Sequence, residues 1–179
     1  MTADSRWVFA KVLGFSLGLI FLFTLITWLP PQMEGEAPQE QVVKLETLTL
    51  DEFVTLGESL FNGRGACALC HQPVPAGRAP DLRKLNIATV AAERLADANY
   101  QGEATDAASY LRESMLEPGR YVAPGWGMMG SEGAIISPMP AVDKPPMSLT
   151  PAEVDAIIAY LLAKDGNPVT VALPRDEMR

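Results

Sequence analysis

The sequence predicts an all-α domain carried on one N-terminal membrane-spanning helix. Three observations lead to this class. Residues 12–29 form a run of 18 residues without a charged side chain. Apolar residues recur at helical spacing in residues 51–62 and again near the end of the chain, and residues 51–166 show no competing strand pattern. A chain of 179 residues has room for one such domain and an appendage.

The apolar N-terminal segment is long enough to cross a bilayer. With Trp7 and its apolar neighbours added to residues 12–29, it spans the roughly 30 Å hydrocarbon core at about 1.5 Å per residue. Trp7 and Trp28 lie near its two ends, where interfacial indoles are favoured. A cleaved signal peptide is the alternative, but Pro30 and Pro31 follow the run instead of a small-residue cleavage site. We therefore expect residues 1–29 to form a cytoplasmic N-terminus and an uncleaved anchor.

The charges that flank this segment predict its orientation. Arg6 and Lys11 accompany the N-terminal end, whereas Glu34, Glu36 and Glu40 follow the span. The positive-inside rule then places the N-terminus in the cytoplasm and the remainder on the periplasmic side of the cytoplasmic membrane. Residues 30–50 begin with a Pro-, Glu- and Gln-rich stretch and are predicted to be an extracytoplasmic linker.

The folded domain is predicted to cover residues 51–166, followed by a C-terminal tail, residues 167–179. Its last helix has the clearest start signal, with Thr150 as N-cap, Pro151 as first helical residue and Glu153 as the capping-box partner. Residues 118–148 are rich in Pro, Gly and Met and are predicted to be a long loop. The other predicted helices are residues 51–62, 87–99 and 104–117.

The only two cysteines and the only histidine lie within five residues, Cys67-Ala68-Leu69-Cys70-His71. C-x-x-C-H is the attachment signal of c-type haem: the thiols add to the porphyrin vinyl groups, and the histidine becomes the proximal iron ligand. A zinc site would need four ligands from a chain that lacks a third cysteine and a second histidine. A thioredoxin-like dithiol would need a βαβ context. The motif therefore predicts one covalent haem c.

Beyond this motif, residues 51–166 resemble the monohaem class I cytochrome c family. In that family a Gly-x-x-x-aromatic pair on the first helix packs against an aromatic residue of the last helix, and Gly57, Phe61 and Tyr160 match this pattern. The resemblance further implies that the carbonyl of Pro80 accepts the other ring N–H of the proximal histidine. Leu82 would then pack against the haem.

The second axial ligand cannot be another histidine of the same chain, because there is only one. Among eight methionines, Met139 in Ser-Pro-Met-Pro is the leading candidate, and the resemblance places the family's ligand in such a Met-Pro loop. Met147 is the runner-up, and Met128 and Met129 come third. A site without a methionine ligand also remains open.

An iron with two axial ligands leaves no open position for a substrate, so the predicted function is one-electron transfer and not catalysis. The predicted partners are the bilayer and either subunits of an integral electron-transfer complex or another redox protein, with no small-molecule substrate. A net charge of −8 argues against nucleic acid. A looser resemblance, to haem subunits of alternative complex III and similar assemblies, favours a respiratory or photosynthetic complex. A haem sensor or enzyme with a displaceable ligand, and a purely structural haem, are the alternative functions.

Overall fold

A computed structural model describes residues 3–28, 47–73 and 79–174. The chain divides into two compact units, Met1–Val42 and Val43–Arg179. The boundary between them falls within the predicted linker. Most of that linker lies outside the described residues, as do Leu29 at the end of the predicted anchor and the last five residues of the predicted tail.

The first unit contains one long helix, α1, Ala3–Trp28. Its part from Ser5 to Trp28 has a mean hydropathy of 2.2, and none of that apolar window is buried within the protein. This helix is therefore long and apolar enough to cross a membrane, as predicted from the sequence. The predicted orientation stays a prediction.

The second unit is mostly helical, which confirms the coarse prediction for the folded domain. Its described elements, in chain order, are α2 (Leu50–Asn62), α3 (Cys67–Cys70), α4 (Ile87–Leu95), α5 (Ala107–Leu116), β1 (Met128–Met129), β2 (Ile135–Ile136) and α6 (Pro151–Ala163).

Helices α2 and α6 both begin with a complete capping box. In α6 the Thr150 side chain accepts a hydrogen bond from the Glu153 backbone N–H, and the Glu153 carboxylate accepts one from the Thr150 backbone N–H at 2.8 Å. Thr49 and Glu52 repeat the arrangement at the start of α2. Two otherwise unpaired backbone donors are thus satisfied at each helix start, which explains why the predicted and observed starts agree within one residue.

The core forms where α2 and α6 pack together. A Cβ atom at Gly57 would lie 2.5 Å from the Ala156 carbonyl carbon and 2.9 Å from Tyr160 Cβ, so only glycine permits this approach. Beside it the rings of Phe61 and Tyr160 are 5.6 Å apart between centroids. The largest fully buried side chains come from these two helices: Phe53, Phe61, Val154, Ile157, Ile158 and Leu162.

Two predicted helices are shorter in the structure than in the sequence analysis. Helix α4 ends at Leu95 and not at residue 99, because the Asp97 carboxylate accepts a hydrogen bond from the Asn99 backbone N–H at 2.8 Å and forms a turn there. Helix α5 begins at Ala107 and not at residue 104, because Asp106 caps it through the backbone N–H of Ser109.

The predicted loop 118–148 contains a small β-hairpin that the sequence analysis did not anticipate. Met128 pairs with Ile136 and Met129 pairs with Ile135 in antiparallel register. The turn between them closes with a 3.1 Å hydrogen bond from the Gly133 N–H to the Gly130 carbonyl, and Gly133 has a φ of +80°. The Gly130 N–H also donates to the Ala134 carbonyl at 2.8 Å, so the loop proper is residues 131–133. This is the common three-residue hairpin turn with glycine at the left-handed position.

The segment predicted as a C-terminal tail contributes to the core. Leu173 is buried, and Val169 and Val171 pack against the same hydrophobic cluster. The packed unit therefore extends at least seven residues beyond the predicted end of the domain at Gly166.

Candidate functional site

The Cys-x-x-Cys-His motif begins on a single helical turn that follows α2. Ala66, immediately before α3, adopts a left-handed conformation with φ of +55°, and the His71 N–H closes the turn by donating to the Cys67 carbonyl. The two cysteines are not joined by a disulfide. Cys67 is half-buried and Cys70 is exposed. Burial raises the pKa of the Cys67 thiol to about 11.

His71 is oriented by the main chain of Pro80. Its Nδ1 atom lies 2.8 Å from the Pro80 carbonyl oxygen. A carbonyl oxygen can only accept, so Nδ1 carries the proton in this hydrogen bond and Nε2 keeps its lone pair. Burial lowers the pKa of His71, and the hydrogen bond to Pro80 opposes that shift. The contact between His71 and Pro80 is the one that the family resemblance implied, while its role toward haem stays a prediction.

A cavity of about 850 Å³ opens beside the motif. This volume falls within the range of small-molecule and cofactor sites. Most of its wall is apolar. Seven lining residues are ones that the sequence analysis singled out: Cys67, Cys70, His71, Pro80, Met139, Met147 and Met128. Tyr121 and Trp126 also line the cavity.

The methionine candidates differ in how they reach this cavity. Met139 is half-buried, and its backbone N–H donates to the Ser137 hydroxyl at 3.2 Å. Met147 also lines the cavity but belongs to the buried core. Met128 lines the cavity from the hairpin, whereas Met129 is 69% exposed. The structure thus brings the first two candidates and Met128 to the site.

Leu82 is placed differently from the other predicted site residues. It is partly buried and packs against the hydrophobic core. The cavity wall next to the motif is formed instead by residues such as Leu69 and Ala79. The predicted packing of Leu82 against haem stays a prediction.

Three tyrosines form a cluster at the part of the cavity wall to which Tyr110 and Tyr121 contribute. Tyr121 lies with its ring centroid 5.4 Å from that of Tyr100 and 6.5 Å from that of Tyr110. The Tyr121 hydroxyl donates to the Asp97 carboxylate at 2.6 Å. Burial and, as the second-largest cause, this hydrogen bond raise the pKa of Tyr121 to about 12. The same bond lowers the pKa of Asp97.

Tyr110 is a cavity residue that the sequence analysis missed. It lies on α5 one helical turn before Ser114, and both line the cavity. Their i, i+4 spacing shows that they share a face of the helix. That spacing was visible in the sequence, but which face of α5 meets the cavity depends on how α5 packs.

These residues fit a c-type haem by the chemistry of their donor atoms. Two thiols, an imidazole with one nitrogen available and a thioether surround one largely apolar cavity. No cluster of three or more His, Cys, Asp or Glu side chains placed to hold a metal ion occurs among the described residues.

Comparison with known proteins finds no family model and no curated protein that matches the chain.

Proposed function

We propose that this chain is a membrane-anchored monohaem c-type cytochrome that transfers single electrons on the periplasmic side of the cytoplasmic membrane. The observation that carries the proposal is the convergence of Cys67, Cys70, His71 and Met139 on one apolar cavity. The second supporting observation is α1, which is long and apolar enough to serve as the anchor.

Each of these side chains has a distinct task in the proposal. Cys67 and Cys70 would hold the porphyrin through thioether bonds, and His71 would ligate the iron through Nε2 while Pro80 fixes its ring. Met139 would supply the second iron ligand, with Met147 as the alternative. When bound, the haem iron supplies a one-electron couple between its ferric and ferrous states. His/Met ligation and an apolar surrounding both favour a high reduction potential.

The charge of the domain favours docking by confinement over docking by long-range attraction. Residues 51–166 contain fifteen acidic and nine basic side chains. Attachment to a membrane raises the effective concentration of the domain near its partners without any attractive charge. The proposed partners are therefore subunits of an integral electron-transfer complex or another redox protein at the same membrane.

The first experiment tests covalent attachment. The full chain is produced in a host that attaches haem c, purified in detergent and examined by intact mass and by the pyridine haemochrome spectrum. We expect the mass of one haem above that of the 19.3 kDa polypeptide. Cys67→Ser and Cys70→Ser should each leave a single thioether and shift the haemochrome band, and the double variant should lose covalent haem. Free or mutually disulfide-bonded thiols in the unsubstituted protein would refute the proposal.

The second experiment tests the axial ligand and separates the carrier from its alternatives. We expect a low-spin spectrum with a methionine-type charge-transfer band in the oxidised protein. Met139→Leu should abolish this band, whereas Met115→Leu, a change within the core, should retain it. Loss of the band in Met147→Leu alone would assign the ligand to Met147. A high-spin spectrum that responds to carbon monoxide would support a sensor or enzyme instead.

A further inference from the structure

The three tyrosines Tyr100, Tyr110 and Tyr121 form a chain of rings that begins at the cavity wall. We refer to them as the tyrosine cluster. Tyr110 and Tyr121 line the cavity. The Tyr100 ring packs against both, with its centroid 5.4 Å from that of Tyr121 and 6.2 Å from that of Tyr110. Rings at these separations are in contact, so the cluster extends without a gap from the cavity wall into the turn that follows α4.

Two of the three hydroxyl groups donate to a carboxylate. Tyr121 donates to Asp97 at 2.6 Å, and Tyr100 donates to Glu113 at 2.7 Å. Such lengths are typical of hydrogen bonds to an ionised oxygen. The hydroxyl of Tyr110 is bonded to the hydroxyl of Ser114 instead.

These hydrogen bonds decide which tyrosines can lose an electron. The pKa of Tyr121 is raised to about 12, so its phenol stays protonated at neutral pH. A protonated phenol that loses an electron becomes a strong acid, and its oxidation therefore needs a base at hydrogen-bond distance to take the proton. Tyr121 and Tyr100 each have such a base, whereas a serine hydroxyl beside Tyr110 is too weak a base for this task.

The other aromatic side chains near the candidate site are bonded differently. Tyr160 packs against Phe61 between α2 and α6. Trp126 lines the cavity. In the part of the chain that the structure describes, no carboxylate accepts a hydrogen bond from the Tyr160 hydroxyl or the Trp126 indole. The pairing of an aromatic donor with a carboxylate is therefore a specific feature of Tyr121 and Tyr100.

We propose that Tyr121 and Tyr100 are redox-active side chains that reduce hydrogen peroxide when it reacts in the cavity. Each tyrosine loses one electron, and its phenolic proton moves to Asp97 or Glu113 on the way to the peroxide oxygens. The O–O bond breaks as it takes up the two electrons. Two tyrosines and one hydrogen peroxide thus give two tyrosyl radicals and two water molecules.

This inference rests on the proposed function, because the iron of the haem would be the group at which peroxide is cleaved. Peroxide reaches that iron only when the Met139 thioether is displaced, so the reaction is a side reaction of an electron carrier. Its consequence is protective. Oxidising equivalents that pass to the tyrosine cluster do not convert Met139 to its sulfoxide.

The first test exposes the haem-loaded, unsubstituted full chain in mild detergent to hydrogen peroxide. Electron paramagnetic resonance of samples frozen shortly after mixing detects organic radicals, and a nitroso spin trap followed by peptide mass spectrometry assigns them to residues. We expect trap adducts at Tyr121 and Tyr100. Adducts at Tyr110, which shares the cavity wall but not the carboxylate, should be roughly fivefold or more fewer.

A second test removes the proton acceptor. Asp97→Asn keeps an oxygen for the hydrogen bond and a residue type common in such turns. Asp51→Asn is the matched control, because Asp51 is exposed on α2. We expect adducts at Tyr121 to fall roughly fivefold or more in Asp97→Asn and to stay unchanged in the control, since a positioned base accelerates proton loss. Sulfoxide at Met139 should rise roughly twofold or more in Asp97→Asn only.

The haem absorption spectrum before addition of peroxide shows whether Asp97→Asn has disturbed the cavity. If it has, Glu113→Gln makes the same test at Tyr100, where adducts should fall by the same factor while those at Tyr121 persist.

Three results would overturn the inference. Adducts at Tyr110 or Trp126 in place of Tyr121 would show that position at the cavity, and not a carboxylate, selects the oxidised residue. Equal adducts at Tyr121 with and without the Asp97 carboxylate would show that this group does not take the proton. A haem-loaded chain that gives no tyrosyl radical would show that the cluster is not redox-active.

Photochemical oxidation separates failure of this inference from failure of the proposed function. Irradiation of the full chain with a ruthenium tris(bipyridine) complex and persulfate supplies a one-electron oxidant without any haem. We expect the ratio of adducts at Tyr121 to those at Tyr160 to fall roughly fivefold or more in Asp97→Asn. Absence of covalent haem would refute the proposed function and the reaction with peroxide, while this fall would still assign Asp97 as the proton acceptor of Tyr121. An unchanged ratio would refute that assignment as well.

Discussion

Replacement of Gly57 by alanine tests the packing on which the whole second unit depends. The new Cβ would lie 2.5 Å from the Ala156 carbonyl carbon, and ordinary van der Waals contact begins at 3.4 Å. The Ala156 carbonyl oxygen lies closer still, so α2 and α6 must separate by at least about 0.9 Å, since the atoms that block the methyl group are backbone and cannot rotate away. A gap of 0.5–1 Å forfeits roughly a quarter to a half of the dispersion energy of the atoms that face it.

The energetic consequence follows from the side chains at this interface. Phe53, Phe61 and Ile157 are 0–1% exposed. Full burial of each contributes about 1.5–3 kcal/mol, so a loss of about a quarter to a half over all three is about 3 kcal/mol. Alanine recovers about 1 kcal/mol through its better helix propensity. We expect a net destabilisation of about 2 kcal/mol, which lowers the melting temperature by about 4–8 °C for a chain of this size.

Thermal unfolding of the full chain in mild detergent, followed by circular dichroism at equal cofactor content, measures this effect. Gly119→Ala is the matched control, because a Cβ at residue 119 meets no atom within 4 Å. It should leave the melting temperature within about 1 °C of the unsubstituted protein, as surface substitutions do. If Gly57→Ala melts at or above the temperature of the unsubstituted protein, the close approach of α2 and α6 does not exist as described.

Two further predictions concern the cap of α6 and the hydrogen bond that fixes the cavity wall. Thr150→Ala removes the capping box and should cost about 1 kcal/mol of unfolding free energy, while Thr150→Ser should restore most of it; chemical denaturation measures both. The pKa of Asp97 is lowered in the folded state by the hydrogen bond from Tyr121, so its stabilising contribution is present above the ordinary aspartate pKa of about 3.9 and is lost as the pH falls through the lower folded value. Unfolding measured below about pH 5 should therefore show a smaller acid-induced loss of stability in Tyr121→Phe than in the unsubstituted protein, and an identical loss would show that this bond does not shift the carboxylate.

The parts of the fold that sequence predicts well are those whose cause is local. Thr150 and Glu153 are three residues apart and meet each other at the start of α6 wherever that helix packs. The end of α4 combines a local cause, the turn between Asp97 and Asn99, with a distant one, because the other carboxylate oxygen of Asp97 is held by Tyr121, 24 residues further along the chain. The hairpin gave no periodic signal, since strands of two residues are shorter than any alternation that can be recognised.

The same distinction applies to the candidate site. Cys67, Cys70 and His71 are adjacent in sequence, so their proximity follows from the motif itself. Met139 and Met147 are both flanked by proline and both reach the cavity, so sequence spacing alone does not separate them. Packing places Met147 within the core and leaves Met139 at its edge, a difference that only the folded chain reveals.

The pairing of α2 with α6 has a consequence for the order of events during synthesis. The thiol motif leaves the ribosome about eighty residues before the last helix, which supplies Val154, Ile157 and Ile158 to the core. Until then α2 has no surface on which to bury Phe61, and Cys67 stays as accessible as in an extended chain. In the finished domain its sulfur is half-buried and its thiol is harder to ionise. Covalent chemistry at this cysteine is therefore slower in the folded domain than in a chain whose last helix has not yet packed.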